Sequence, residues 1–246
     1  KITDTLTITR ANKAVALNAP DNMLAPDYSI PVDKKIIDKE RIKRLVLAIS
    51  GYDAPDRSWT NLYTQGNTNS LTLGNNPIDP RGSISELDNS MRPETLDREI
   101  KNLAKYITRG AVTPEEQILR INEFVNGYLT YSLNQQPKTI TQLLADRKGQ
   151  CTDYADLFTE LARSLEIPAK TVFGLAYYDS DTPEFRFHAW NEVFVGGKRM
   201  TVDPTWKQFP ADATHIAFSQ SWSALSVLVG NHKVKFNVKD IEYLDS

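Results

Sequence analysis

The stretch from Gly149 to Pro168 reads GQCTDYADLFTELARSLEIP and contains the only cysteine of the chain, Cys151. Apolar residues then recur at the spacing of one helix face, at Tyr154, Phe158, Leu161, Ala162 and Leu165. Pro168 enforces an end to this pattern, because the residue before a proline is disfavoured in a helix. We therefore predict a helix from about Cys151 to Leu165 that begins at the cysteine itself.

Three more helices are predicted upstream of this one. The first has a stripe of apolar residues at Leu96, Ile100, Leu103, Ala104 and Ile107. It is expected to end at Gly110. The second begins at Thr113, which can form a capping box with Glu116. A short third helix is predicted from Thr139 to about Asp146.

Strand signals follow the cysteine helix and indicate an antiparallel sheet. The predicted strands are Lys170 to Tyr178, Phe185 to Val195, Lys198 to Asp203 and Lys233 to Val238. Gly196-Gly197 is typical of a two-residue hairpin turn, which places Val195 opposite Lys198. Helices followed by antiparallel strands predict an α+β domain.

The N-terminal part of the chain is rich in β signals and poor in helical periodicity. Strands are predicted at Thr5 to Thr9, Ile42 to Ser50, Trp59 to Thr64 and Ser70 to Leu73, with a hairpin at Gly66-Asn67. The Asn/Asp/Pro/Gly-rich residues 75–82 read as a linker. We therefore predict a β-rich accessory region at 1–85 and a second domain at 86–246.

The composition is that of an ordinary folded protein and excludes several classes of partner. With 29 Lys+Arg against 31 Asp+Glu the net charge is −2, so no overall field attracts nucleic acid or an anionic membrane. No apolar run approaches the roughly 18 to 20 residues that span a bilayer. We therefore predict no nucleic-acid partner and no membrane span, and a monomer is favoured.

A single cysteine also excludes an internal disulfide framework and a zinc cluster built on cysteines. The acidic run from Asp79 to Asn89 lacks the spacing of an EF-hand. We predict neither a metal nor a cofactor. The chain begins at Lys1 rather than Met, which leads us to expect an upstream segment and an exported or periplasmic location.

Cys151 stands where unpaired backbone N–H groups and the positive end of a helix dipole converge. Such sites lower a cysteine pKa from about 8.5 to between roughly 3.5 and 7.5, so a reactive thiolate is expected at Cys151. The alternative is a small buried apolar residue without chemistry. A base nearby would decide between these two interpretations.

His188 is the best candidate for that base among only three histidines. The hairpin register places Trp190 opposite Asp203, so Asp203 lies diagonal to His188 on the same face of the sheet. A carboxylate at that distance can accept a hydrogen bond from an imidazole N–H. A nucleophile, a base and an orienting acid are thereby predicted at Cys151, His188 and Asp203, although a lone strand histidine is often structural.

Four blocks of sequence resemble the transglutaminase-like superfamily. They are Gly149-Gln150-Cys151-Thr152-Asp153-Tyr154-Ala155, Leu165-Glu166-Ile167-Pro168-Ala169, His188-Ala189-Trp190-Asn191-Glu192-Val193 and Val202-Asp203-Pro204-Thr205-Trp206. They are similar, in the same order, to that superfamily's G-x-C-x-x-[YF]-A, L-x-I-P-A, H-A-W-x-E-V and D-P-T-W patterns. The resemblance covers residues 113 to about 216.

The resemblance implies a papain-like α+β core of helices packed on an antiparallel sheet. It implies that Cys151 is the nucleophile, His188 the general base and then acid, and Asp203 the residue that orients His188. Weaker candidates are Gln150 as an oxyanion donor, Trp190 as a wall of the acyl site and Tyr154 as packing beneath it. Glu192 and Asp153 are expected to serve as a salt-bridge partner and a helix-dipole charge.

The superfamily includes protein-crosslinking transglutaminases, peptide N-glycanases and bacterial proteases or amidases, which share thiolate attack on an amide. We therefore expect a bacterial cysteine protease, amidase or acyltransferase that acts on a peptide or protein, with cell-wall peptide among the possible substrates. Hydrolysis is favoured over transamidation because water needs no second pocket. The alternatives are a non-catalytic binding or scaffolding module and acyl transfer from a thioester donor.

Overall fold

The computed structural model describes residues 29–51, 70–74, 98–133, 138–217 and 233–245. Several predicted features fall outside these ranges, and the structure leaves them as predictions. They are the strands at 5–9 and 59–64, the hairpin at 66–67, the linker at 75–82, the boundary at 85/86 and the stripe position Leu96 of the first helix.

Four helices are described where the sequence predicted them. They are α1 (Arg98–Ile107), α2 (Pro114–Tyr128), α3 (Ile140–Asp146) and α4 (Cys151–Ser164). The Thr113 hydroxyl accepts the N–H of Glu116 at 3.2 Å and starts α2 with the predicted capping box. Thr139 caps α3 in the same way.

The central helix α4 packs its predicted apolar face into a shared core. Tyr154, Phe158, Leu161 and Ala162 are buried there. The core also contains Ile118, Ile121 and Val125 of α2, with Val193 and Val202 from the strands. This packing fixes the N-terminus of α4, and with it Cys151, against the sheet.

That sheet has five strands and is antiparallel throughout. It consists of β1 (Ser29–Pro31), β6 (Ala169–Tyr178), β7 (Glu184–Val195), β8 (Lys198–Val202) and β9 (Ile216–Ala217). The order is β1-β7-β6-β9, with β8 on β7. Val195 pairs with Lys198 and Asn191 with Val202, which is the register predicted from the Gly196-Gly197 turn.

A second antiparallel sheet joins the two ends of the described chain. It consists of β2 (Ile42–Ser50), β3 (Ser70–Gly74) and β10 (Lys235–Tyr243), in the order β10-β2-β3. A two-stranded parallel pair, β4 (Thr130–Tyr131) with β5 (Lys148–Gly149), precedes α4. Mixed helices and antiparallel sheets confirm the α+β prediction, including strands ahead of the helices.

Strand β10 is longer than the sequence predicted. The apolar pattern stops at Val238, yet pairing with β2 continues to Tyr243 past a register shift between Val238 and Asp240. In this part Ile241 still packs against the core, and ion pairs are added, with Lys43 and Glu242 at 2.6 Å and Arg44 and Asp240 at 2.6 Å. Cross-strand charge pairs of this kind stabilise a solvated face without apolar alternation.

Two different strands pair with the two ends of one edge of β7. β1 pairs with residues 184–186 of β7 and β8 pairs with residues 191–195. Residues 188–190, which include His188, lie between these two pairings on the same edge of β7. A separate finding is that the helices in the described ranges include none with the length and apolar character needed to cross a membrane.

Candidate active site

Helix α4 starts at Cys151 because hydrogen bonds fix both the N–H and the carbonyl group of the preceding residue, Gln150. The Gln150 N–H donates to Asp153 Oδ2 at 2.9 Å, and the Gln150 carbonyl accepts from the N–H groups of Asp153 and Tyr154 at 2.9 and 3.1 Å. At Gly149 a Cβ atom would lie 2.6 Å from Asp153 Cβ. Glycine thus permits the close turn that delivers Cys151 to the helix terminus.

The Cys151 side chain is almost sealed, with 1% of the residue exposed. It packs with Ala155, Ala189 and Phe173. Burial raises the pKa of Cys151 to about 12, while backbone hydrogen bonds from Ala189 and Thr152 favour the thiolate. The lowered pKa expected from the helix terminus is therefore wrong for this state, because desolvation outweighs the helix N–H groups. The resting sulfur is a neutral thiol.

His188 and Asp203 form the hydrogen bond that the hairpin register predicted. His188 Nε2 lies 2.8 Å from Asp203 Oδ2, and both residues are fully buried. An ionised carboxylate only accepts, so Nε2 carries the proton and a neutral ring keeps its lone pair on Nδ1. Nδ1 is buried and has no hydrogen-bond partner within the described residues. The imidazole therefore presents a free basic nitrogen.

Asp203 itself is held as an anion by four donors. Its Oδ1 accepts the backbone N–H groups of Thr205 at 2.8 Å and Trp206 at 3.3 Å. Its Oδ2 accepts from His188 and, at 3.2 Å, from His215 Nε2. Burial alone would raise the pKa of Asp203, but the charges and hydrogen bonds of the two histidines lower it well below the usual value. The Asp-Pro-Thr-Trp turn thus fixes the carboxylate that orients His188.

His215 is the site residue that sequence reasoning missed. It reaches Asp203 because the chain folds back after β8, where Asp203 and Gln208 exchange backbone hydrogen bonds at 3.0 and 2.9 Å. Asp212 then accepts from Thr214 N–H at 2.8 Å and tightens the turn before His215. A second histidine a short distance after the Asp-Pro-Thr-Trp block is the signal that could have found it.

Aromatic rings enclose the imidazole of His188. Trp206 stacks on it with centroids 4.4 Å apart, Trp190 lies at 6.1 Å and Tyr178 at 6.3 Å. Lys39 places its ammonium 3.9 Å from the Trp206 centroid. Trp190 is 1% exposed, and its Nε1 has no hydrogen-bond partner in the described part of the chain. Rings of this kind exclude water from the base.

The remaining predicted residues lie nearby in different roles. Tyr154 donates its hydroxyl to the Leu129 carbonyl at 2.8 Å and belongs to the helix core. Glu192 is a buried ion-pair partner, 2.9 Å from Lys170 and 3.5 Å from Arg199. Burial raises the pKa of Glu192 to about 7, against the opposing charge of Arg199.

Two tyrosines that the sequence did not suggest lie within electrostatic reach of the sulfur. Burial raises the pKa of Tyr131 and of Tyr178, and a negative charge at Cys151 would raise both further. Tyr131 is 44% exposed and pairs across β4 and β5 with Gly149, two residues before the cysteine. Tyr131 is therefore a partly exposed side chain near the start of α4.

One ring nitrogen each of His188 and His215 and one carboxylate oxygen of Asp203 lie within 4.8 Å of one another, close enough for a cation to bridge them. Two N–H···O hydrogen bonds to the same carboxylate oxygen occupy that space. We therefore interpret the cluster as a hydrogen-bonded network.

The part of the chain that contains this site is similar in sequence to known proteins. A family model described as Transglutaminase-like superfamily matches residues 101–204, which include Cys151, His188 and Asp203. The Mus musculus protein named Kyphoscoliosis peptidase is 27% identical over 160 residues, covering 60% of this chain and 24% of that protein.

A Drosophila melanogaster peptide-N(4)-(N-acetyl-beta-glucosaminyl)asparagine amidase is 37% identical over 68 residues, which is 27% of this chain and 9% of the amidase. The chain thus spans about a quarter or less of the length of these two curated relatives. Among solved structures, the periplasmic domain of TgpA from Pseudomonas aeruginosa aligns with a TM-score of 0.47 and 15% identity, over 73% of this chain and 87% of that chain. Residues 101–204 of the chain, which contain the site, thus match the transglutaminase-like superfamily, and their α+β architecture agrees with that match.

Proposed function

We propose that the chain is a cysteine-nucleophile enzyme that forms a thioester from a peptide or isopeptide amide. One observation carries this proposal: Asp203 holds His188 in the tautomer that leaves Nδ1 unprotonated, and Ala189, the next residue of β7, packs against Cys151 at the start of α4. The sulfur is hydrogen bonded to the backbone of Ala189, the residue that follows His188. A thiol with its base oriented by an acid is the arrangement that nucleophilic catalysis requires.

In the first half of the reaction the thiol proton moves to His188 Nδ1 as the sulfur bonds to the amide carbonyl carbon. Asp203 stabilises the imidazolium that forms. The carbon–nitrogen bond then breaks, and the leaving amine or ammonia takes the proton from His188. A neutral imidazole and a thioester on Cys151 remain.

In the second half, water attacks the thioester and gives its proton to Nδ1. The carbon–sulfur bond breaks, the sulfur recovers the proton, and a carboxylic acid leaves. A primary amine in place of water would give transamidation. Hydrolysis is the first choice because water needs no binding pocket, and the relatives named as a peptidase and an amidase support an amide substrate.

The oxyanion is proposed to bind at the start of α4. The backbone N–H of Cys151 lies in the first turn, where N–H groups have no partner inside the helix. Gln150 precedes it and remains the proposed second donor, and Trp190 the proposed wall of the acyl site. The substrate is proposed to be a peptide or protein, including cell-wall peptide, and an exported or periplasmic location stays a prediction.

Burial of the sulfur favours a second candidate, a scaffold that keeps the fold but has no open site. With Cys151 at 1% exposure, an acyl group reaches it only after a covering side chain moves. Tyr131 is proposed as that side chain, because it is the exposed neighbour. In a scaffold Tyr131 would stay closed and Cys151 would remain inert.

Glutaminyl and isopeptide-linked peptides, each with and without a labelled primary amine, test the proposal. Ammonia or amine release without incorporation indicates hydrolysis, and incorporation of the label indicates transamidation. Cys151→Ala should abolish both products, with Tyr106→Ala as a matched surface control because Tyr106 is 75% exposed. Product release that survives Cys151→Ala would refute the proposed nucleophile.

A further inference from the structure

Both ring nitrogens of His215 face oxygen atoms that can only accept hydrogen bonds. Nε2 lies 3.2 Å from Asp203 Oδ2. Nδ1 lies 3.1 Å from the Asp212 carbonyl oxygen and 3.3 Å from Asp212 Oδ1. A neutral imidazole has one N–H and one lone pair, so one of these contacts would set a lone pair against an oxygen.

We propose that His215 is an imidazolium cation at neutral pH that neutralises Asp203 and acts as a positioning residue for the Cys151–His188 pair. The inference deepens the proposed function, but only its consequence for the thiol rests on that function. The charge state of His215 rests on geometry alone.

The charges that surround His215 are balanced in pairs. The titratable or charged groups that face it are Asp203 at the end of β8, Asp212 in the preceding turn and His188 of β7, whose ring centroid lies 5.7 Å away. Lys39, from the short 3-10 helix at 39–41, approaches Asp212 Oδ2 at 3.5 Å. Two carboxylates are thus matched by one imidazolium and one ammonium. The charges of these four groups, Asp203, Asp212, His215 and Lys39, therefore sum to zero.

A neutral His215 would need the proton on Asp203 instead. The four donors around Asp203 oppose this, because a carboxylate that accepts several hydrogen bonds is stabilised as the anion. Burial alone would lower the pKa of His215, but hydrogen bonds to Asp203 and Asp212 and their charges raise it to about 9. The positive charge on His215 therefore persists through neutral pH.

The proposed consequence concerns the thiol. An unscreened Asp203 would favour the imidazolium form of His188 and so the thiolate of Cys151. Because the His215 imidazolium lies beside Asp203, the Asp203 carboxylate still orients His188, but the negative charge of that carboxylate is already compensated. We infer that, because of His215, the proton shared by Cys151 and His188 stays on the Cys151 sulfur until substrate binds.

Nuclear magnetic resonance of the histidine side chains in the full chain tests the charge state directly. We expect both ring nitrogens of His215 to carry protons at pH 7, with signals assigned by their loss in His215→Gln. Replacing Asp212 by Asn removes one anion, so the His215 proton should be lost about one pH unit or more lower than in the wild type. A single N–H on His215 at pH 7 in the wild type would overturn the proposal, whether or not either variant folds.

Alkylation of Cys151 by iodoacetamide across a pH series tests the consequence. We expect His215→Gln to increase the rate near pH 6 several-fold relative to the rate near pH 9. A looser site that merely admits the reagent would raise both rates by the same factor, and such an equal change would overturn the consequence. If alkylation shows no dependence on His188 in any variant, the proposed function fails while the cationic state of His215 stands.

Discussion

Asp203 connects more of the site than any other described side chain. Its Oδ1 joins the turn at Thr205 and Trp206, and its Oδ2 joins His188 and His215. The negative charge keeps Nε2 of His188 protonated, and so keeps Nδ1 free to act as the base. The identity of this one residue thus sets the tautomer of another.

Asp203→Asn should therefore slow the reaction severely. An amide at this position can donate to Nε2 and hold the wrong tautomer, and in a related triad such a change costs about 10⁴-fold in rate. The rate of acylation of Cys151 measures the effect. Asp179→Asn is the control, because Asp179 is half exposed and pairs only on the surface with Lys35 at 2.8 Å. Equal rates in the two variants would contradict the role of Asp203.

The sequence predicted the contact between His188 and Asp203 because a two-residue turn sets a hairpin register and register sets faces. It did not predict the protonation of Cys151, because desolvation depends on side chains such as Phe173 that pack around the sulfur from other elements. It also missed His215, since the irregular loop after β8 has no periodicity to extrapolate. The sequence therefore predicts contacts that strand register sets, and it does not predict contacts between side chains of separate elements.

Among the elements, β6 determines how closely β9 and the catalytic strand approach each other. Gly174 of β6 pairs with His188 on one side and with Ala217 of β9 on the other. A Cβ atom at Gly174 would lie 2.1 Å from the Ile216 carbonyl oxygen and 2.5 Å from Trp190 Cη2. Only glycine allows the segment beside His215 to lie this close to the ring of Trp190.

Gly174→Ala should accordingly reduce the free energy of unfolding by roughly 1–3 kcal/mol or more, because backbone atoms cannot move aside cheaply. Gly127→Ala is the matched control: Gly127 is an exposed residue of α2 with nothing within 4 Å of an added Cβ. That control should gain up to about 1 kcal/mol from helix propensity. Denaturant unfolding of both variants provides the measurement, and similar effects at the two positions would contradict the packing described here.

Elements with a clear period were predictable and very short ones were not. The four helices and the strands β2, β6, β7 and β8 have apolar repeats or capping residues, and the structure describes each of them close to the predicted bounds. β1, β4, β5 and β9 have two or three residues each, too few to show alternation. Their pairing is decided by the larger elements that they join.

At the scale of the whole molecule, the first and last described strands belong to one core. β2 pairs with β10 along its length, and β1 extends the sheet that carries His188. Apolar residues of 29–74 pack against Leu175, Tyr177, Phe185 and Phe187 of β6 and β7. The division at 85/86 remains a prediction, and this core shows that the described residues of 29–74 pack against the sheet that contains His188.

Residues 86–246 alone should therefore fail to fold stably. The N-terminal residues that would be lost from the core are Ile30, Val32, Ile36, Ile42, Leu45, Leu47, Ile49, Leu71 and Leu73. Each buried side chain of this kind contributes roughly 1.5–3 kcal/mol, so the set exceeds a typical net stability of about 5–15 kcal/mol. Circular dichroism and size exclusion of the truncated chain beside the full chain would show this. A monomeric, cooperatively unfolding 86–246 fragment would contradict it.

The central claim is that Cys151 is a nucleophile with His188 as its base, and acylation by p-nitrophenyl acetate tests it without knowledge of the natural substrate. Intact-mass spectrometry of acid-quenched samples should detect one acetyl group on the wild type that Cys151→Ala lacks, and this difference assigns the group to Cys151, the only cysteine. His188→Ala should slow its formation by about 10²–10⁴-fold, the usual contribution of a general base. An unchanged rate in His188→Ala, or a wild-type chain that acquires no acetyl group at Cys151, would contradict the account.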